Sequence, residues 1–131
     1  LGQAFLQLFS PKIILKLSKS FLRPGENALL SWTFPGSQLF SRLEIDLVGQ
    51  ELNLVQDSDS SSWRTSDISV TSLFKGSSSL EVRQGSTQLH IPSDAIKSSQ
   101  SSNRQTRWII RVKGEIPRWP DTKDEYPIIV V

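Results

Sequence analysis

The residues that could carry out chemistry in this chain of 131 residues are few. The chain has one histidine, His90, and no cysteine, which excludes disulfides, thiol nucleophiles and thiolate metal sites. A catalytic histidine needs an orienting acid and a nucleophile beside it, and no spacing around His90 supplies them. Because His90 lies between Leu89 and Ile91, strand alternation predicts that it faces solvent. A hydrolase is therefore the last of three hypotheses, and we expect no enzyme.

Two acidic positions could also suit hydrolytic chemistry. Glu44 and Asp46 share the outward face of one predicted strand, about 7 Å apart by the rise of a strand. Paired carboxylates at such a separation cleave glycosidic bonds. An exposed sheet face offers no burial, however, so we expect neither pKa to shift and no catalytic pair.

A third candidate is the acidic, serine-rich loop Asp57–Ser61. Its oxygen atoms could bind Ca²⁺ or Mg²⁺, and a loop of this kind could also bind a glycan. The segment lacks the central glycine and the distal glutamate of an EF-hand loop, and aspartate and serine are also common in solvated turns. A glycan- or divalent-cation-binding domain is the alternative hypothesis, and the prediction names no cofactor and no metal ligand.

Positive charge is slightly in excess, with 15 basic and 13 acidic residues and a net charge of +2. Arg107, Arg111 and Lys113 share one face of a predicted strand and form a possible anion patch for phosphates, lipid headgroups or an acidic partner. Ile109, between them, is not an aromatic residue on which a base could stack, so we expect no nucleic-acid partner.

The most distinctive segment is Pro117, Arg118, Trp119 and Pro120. Its Pro-x-x-Pro spacing could present a polyproline ligand, and arginine and tryptophan are enriched at interaction hot spots. The alternative is a rigid crossover in which Trp119 closes one end of the core. We name these four residues as the possible partner-binding site.

Short strands must position all of these residues. Leu43, Ile45 and Leu47 alternate with polar residues, and Trp108, Ile110 and Val112 do the same. We also expect a hairpin in which the segment around Leu80 and Val82 pairs with Leu89 and Ile91. Seven or eight such strands, and no segment with a helical apolar period, predict an all-β, antiparallel immunoglobulin-like β-sandwich over residues 11–131, with residues 1–10 as a flanking segment.

The order of the strand motifs resembles that of a known family. The motifs are Arg-Pro-Gly-Glu at 23–26, Leu-Leu-Ser-Trp at 29–32, Leu-Glu-Ile-Asp-Leu at 43–47, Leu-His-Ile-Pro at 89–92 and Trp-Ile-Ile-Arg-Val at 108–112. This order resembles the immunoglobulin-like sandwich of arrestin-like domains. Residues 114–121 together with Glu-Tyr-Pro at 125–127 look like the end of a bacterial domain of unknown function from multi-pass membrane proteins.

The resemblance implies a context for the chain. The chain carries no methionine, so we expect an excised domain of a larger protein. The resemblance implies that this protein is bacterial and membrane-anchored, with a tether outside this fragment and an extracytoplasmic position favoured. The leading hypothesis is a non-enzymatic interaction module that binds a protein partner, or the rest of its own parent chain, through residues 117–120 and exposed sheet edges.

Overall fold

The computed structural model describes residues 4–7, 13–34, 41–77, 79–115 and 122–131. These residues form ten strands and one short helix. In chain order they are β1 (Ala4–Gln7), β2 (Ile14–Leu17), β3 (Phe21–Leu22), β4 (Asn27–Thr33), β5 (Arg42–Gln56), β6 (Ser61–Gly76), α1 (Ser79–Arg83), β7 (Gln84–His90), β8 (Ser99–Gln100), β9 (Arg104–Glu115) and β10 (Thr122–Val130).

The strands form two sheets. One has the order β1-β2-β4-β7, and the other has the order β3-β10-β9-β5-β6 with β8 paired to β9. Every pairing is antiparallel except that of β3 with β10. The predicted all-β antiparallel sandwich is confirmed. The strands outnumber the predicted seven or eight because β1, β3 and β8 contain only two to four residues, too few to show alternation.

The start of the chain contributes to the first sheet. Ala4–Gln7 pairs with β2, in a register that runs from Ala4 opposite Leu17 to Gln7 opposite Ile14. The predicted flanking segment, residues 1–10, thus contains one strand of the four-stranded sheet.

The predicted hairpin around residues 80–91 is wrong. Residues 79–83 form α1, and β7 pairs with β4 from Asn27 opposite His90 to Thr33 opposite Gln84. Two contacts favour the helical turn. The side chain of Val82 is fully buried in the core, and the carbonyl of Glu81 accepts a hydrogen bond of 2.9 Å from the indole N–H of Trp32. A helix of five residues is too short to show an apolar period in the sequence.

The core lies between the inner faces of the two sheets. Leu43, Ile45 and Leu47 of β5 are fully buried, as their alternation predicts, and they pack in one cluster with residues of β9 and β4. Trp32 and Trp108 are the largest members of this cluster, and both donate their indole N–H to a backbone carbonyl, of Glu81 and Ile96 respectively. The core therefore buries two indoles without an unpaired N–H.

Gly85 provides a direct test of this packing. It lies opposite Trp32 in the β4–β7 pairing, and a Cβ atom there would overlap the six-membered ring of Trp32. We expect Gly85→Ala to lower the free energy of unfolding by about 1–3 kcal/mol, because the indole must shift within a closely packed core. The control is Ser86→Ala, at the exposed neighbouring position, with an expected change within about 0.5 kcal/mol. Urea unfolding measures both, and equal stability of the two variants would contradict this account.

Candidate interaction surface on the six-stranded sheet

The outward-facing side chains of β6, β5, β9 and β10 lie in cross-strand rows, because the register places them directly opposite one another. The middle row is apolar and consists of Val70, Val48, Ile109 and Pro127. Val48 is 0% exposed and Ile109 is 1% exposed, although neither belongs to the core cluster between the sheets. Side chains of the adjoining rows must therefore cover them.

The Arg111 side chain crosses the apolar row. It lies in the row on one side of the apolar row, opposite Asp46. Its guanidinium reaches across to Asp67 on the other side, donating to both carboxylate oxygens at 2.9 and 3.1 Å. Its Nε donates to Glu125 of β10 at 2.8 Å. Arg111 is 7% exposed, so these are charge-assisted bonds from a largely buried cation.

Two further residues extend this arrangement. The side-chain amide of Gln50 donates to Asp67 at 2.8 Å, and the carbonyl oxygen of Gln50 accepts a bond of 2.8 Å from Nε of Arg107. A continuous polar chain thus crosses four strands, from Glu125 through Arg111, Asp67 and Gln50 to Arg107. We call these five residues the Arg111 network.

The Arg111 network shifts the pKa of Asp67, one of its two carboxylates. Hydrogen bonds from Arg111, and then from Gln50, lower the pKa of Asp67 to about 2. The same bond to Asp67 raises the pKa of the Arg111 guanidinium, against the opposing effect of burial. Asp67 therefore stays ionised throughout the physiological range, and its charge is neutralised from within the domain.

The possible anion patch is divided by these contacts. Arg107, Arg111 and Lys113 do share one face of β9, but Arg111 is bound to two carboxylates and Arg107 to Gln50. Lys113 is exposed at the far end, opposite Glu44. An anion that approached Arg111 would have to compete with Asp67 and Glu125.

Glu44 and Asp46 differ from the expectation that neither pKa shifts. Burial raises the pKa of Asp46, because this face is more covered than a bare sheet surface. Burial also opposes the ionisation of Glu44, but Arg42, at 2.8 Å, and Lys75, at 3.5 Å, outweigh it and lower the pKa. Both carboxylates lie on the outer sheet face, where the positive charges of nearby cations favour their ionised forms.

Two of the remaining candidates, His90 and the turn that begins at Asp57, lie among the described residues. His90 is exposed, and its Nδ1 lies 2.6 Å from the side-chain oxygen of Asn27. Asp57 begins an exposed turn in which its N–H donates to the carbonyl of Ser60 at 2.8 Å. Within the described part of the chain, no three histidine or acidic side chains are grouped so that they could hold a metal ion. Pro117, Arg118, Trp119 and Pro120 lie outside the described residues.

β6 is the edge of the six-stranded sheet, and among the described residues only β5 pairs with it. We use the term β6 edge for residues Ser61–Val70. Three of its apolar side chains are exposed: Trp63 by 46%, Ile68 by 46% and Val70 by 57%. Its only charged residues are Arg64 and Asp67, and Asp67 is bound by Arg111. The edge carries Arg64 and a register shift opposite Gly49 and Gln50, but it contains no proline and leaves three large apolar side chains in solvent.

Nothing in the local sequence pattern predicts a role for Asp67, Gln50 or Glu125. Asp67 lies where the β5–β6 register shifts, so that Asp67 pairs with Gln50 while Ser69 pairs with Gly49 and Ile68 is the extra residue. A β-bulge of this kind changes which side chains share a face. Strict alternation along the sequence could not have placed Asp67 beside Arg111.

Comparisons with known proteins define the class of fold. The chain is an arrestin-like β-sandwich, and it is similar in structure to Spo0M, a sporulation control protein from Bacillus subtilis known from its crystal structure. The two superpose with a TM-score of 0.58 at 15% sequence identity, over 90% of this chain and 48% of that one. This chain thus spans about half the length of Spo0M, and at this identity the likeness shows the fold alone.

Sequence comparisons add nothing to this likeness, since neither a family model nor a curated protein matches the chain. In the described residues, no helix has the length and apolar character needed to cross a bilayer.

The Arg111 network makes stability depend on pH. The pKa of Asp67 falls from 3.8 to about 2 on folding, so its stabilisation is complete above about pH 4 and is lost as the pH falls towards 2. We expect the Asp67→Asn variant to be less stable than the unmodified protein at neutral pH. We also expect it to lose less stability than the unmodified protein on acidification. Urea midpoints measured between neutral pH and about pH 2.5 test this. Asp57→Asn, in the exposed turn, is the control, and parallel curves for Asp67→Asn and the unmodified protein would contradict the prediction.

Proposed function

We propose that this domain is a non-enzymatic interaction module that binds an extended polypeptide segment along the β6 edge. The observation that carries the proposal is the length of edge strand that has one strand neighbour among the described residues and exposes Trp63, Ile68 and Val70. An added strand would bond to the outward backbone groups of β6, and its side chains would pack alternately on the two faces of the sheet.

The Arg111 network supports this role because it fixes β6 before a partner arrives. β6 pairs with β5 from Ser61 to Gly76, and Asp67 is tied through Arg111 to β9 and β10. A strand that is already ordered loses little conformational entropy when it binds, so more of the backbone hydrogen bonding appears as affinity.

The candidate chemical groups favour binding over catalysis. His90 contacts Asn27 on an exposed strand, and Glu44 lies between two cations. The partner we propose is a protein or another part of the same parent chain. Its membrane-anchored, bacterial and extracytoplasmic context stays a prediction from the resemblance, as does a role for Pro117–Pro120. The glycan or divalent-cation hypothesis and the hydrolase hypothesis stay alternatives.

The edge can be tested with peptides of unbiased sequence. Random dodecapeptides displayed on phage are selected against the purified domain, and the enriched peptides are synthesised and titrated by fluorescence anisotropy. We expect Val70→Lys to weaken their binding by about tenfold or more, because a lysine on the edge disfavours strand addition.

The matched control is Leu29→Lys. Leu29 is 51% exposed, close to the 57% of Val70, but it lies on β4, which has β2 on one side and β7 on the other. We expect this variant to bind the peptides as the unmodified domain does. Equal losses in the two variants, or a selection that enriches no peptide, would contradict the proposed function.

A further inference from the structure

The β6 edge leads into a groove at the side of the sandwich. The groove has a volume of about 570 Å³ and lies between two strands. It is lined by Thr71, Ser72 and Leu73 of β6 and by Thr87, Gln88 and His90 of β7. These two strands belong to different sheets, and the hydroxyl of Thr87 donates to the carbonyl of Leu73 across the gap at 3.2 Å. The groove is therefore bounded by the edges of both sheets.

Both strands at the groove lack a second strand neighbour among the described residues, since β6 pairs only with β5 and β7 pairs only with β4. The Thr87–Leu73 hydrogen bond joins the two strands directly, so a polypeptide cannot lie between them as a shared strand. A segment that lies along the β6 edge and continues past Val70 reaches the mouth of the groove instead. There its side chains can contact residues of both strands.

The lining of the groove also favours one kind of side chain. Asp94 contributes a carboxylate, and no lysine or arginine is among the described residues that line the groove. Gln88 offers a side-chain carbonyl oxygen, and the hydroxyl oxygens of Thr71, Thr87 and Ser93 can also accept hydrogen bonds. Several acceptors and one negative charge match a donor-rich cation.

The loop that carries Asp94 is held in place by backbone bonds. The N–H of Gly25 lies 2.8 Å from the carbonyl of Ile91 and 3.2 Å from that of Pro92, and the N–H of Ala95 donates to Pro92 at 3.0 Å. Gly25 has a φ of 83°, which an L-residue with a side chain rarely adopts. The acceptors of the groove are therefore in position before a ligand arrives.

We propose that the bound polypeptide continues from the β6 edge into this groove and places a lysine or arginine side chain against Asp94. This inference rests on the proposed function and specifies its ligand as an extended, basic segment. The ion pair fixes the position of the segment along β6, since only one point on this path carries the Asp94 carboxylate.

The test uses the phage-selected peptides described above. We expect them to share a lysine or arginine at one position, and we expect its replacement by glutamine to weaken binding by about threefold to fivefold. In Asp94→Asn the same replacement should have no effect, so that the double-mutant cycle assigns the coupling to this pair. Asp59→Asn, which removes a charge near the opposite end of β6, should retain the full effect.

The possible results distinguish the inference about Asp94 from the proposed function. If peptides bind and Val70→Lys weakens them, but the basic residue is not shared or its effect survives in Asp94→Asn, the inference is overturned while the proposed function stands. If binding ignores Val70→Lys, both fall. If maltotriose, added as a neutral saccharide probe, shifts the amide resonances of residues 87–94 and the peptides do not, the groove is a glycan site and the inference is overturned.

Discussion

The Arg111 guanidinium is held from two sides, by Asp67 of β6 and Glu125 of β10, and the outer face of the larger sheet depends on this arrangement. The side chain crosses a row of apolar residues to reach Asp67, and it thereby keeps Val48 and Ile109 out of water. Removal of Asp67 would leave this largely buried cation with Glu125 as its bonded carboxylate, and we expect a larger loss of stability than from an exposed ion pair.

The same contact helps to order β6, which is also the edge strand of its sheet. Along Ser61–Val70 this strand is ordered by its pairing with β5 and by the anchor at Asp67, yet its other edge meets no strand among the described residues. An ordered strand with a free edge is the geometry that β-strand addition requires. The groove beside Asp94 adds a second wall and a charge, which together would set where a bound segment lies.

The sequence predicted the parts of the fold that depend on alternation. Leu43, Ile45 and Leu47, like Trp108, Ile110 and Val112, occupy the core positions that their spacing indicates, and the arrestin-like sandwich follows from strands of this kind. It did not predict α1, which is too short to show a period. Nor did it predict the pairing of Arg111 with Asp67, because that pairing depends on a bulge at Ile68 between two long strands. Arg107, Arg111 and Lys113 share one face as predicted. The partners of Arg107 and Arg111 come from β5, β6 and β10, however, and contacts between distant segments are not visible in local spacing.

The central claim is that the β6 edge accepts an added strand. Intermolecular nuclear Overhauser effects between a selected peptide and the isotope-labelled domain test it most directly. Strand addition predicts regularly spaced contacts between backbone protons of the peptide and those of Ser61–Val70, with the β5–β6 pairing unchanged. Contacts confined to side chains, or to any other surface of the sandwich, would contradict the account.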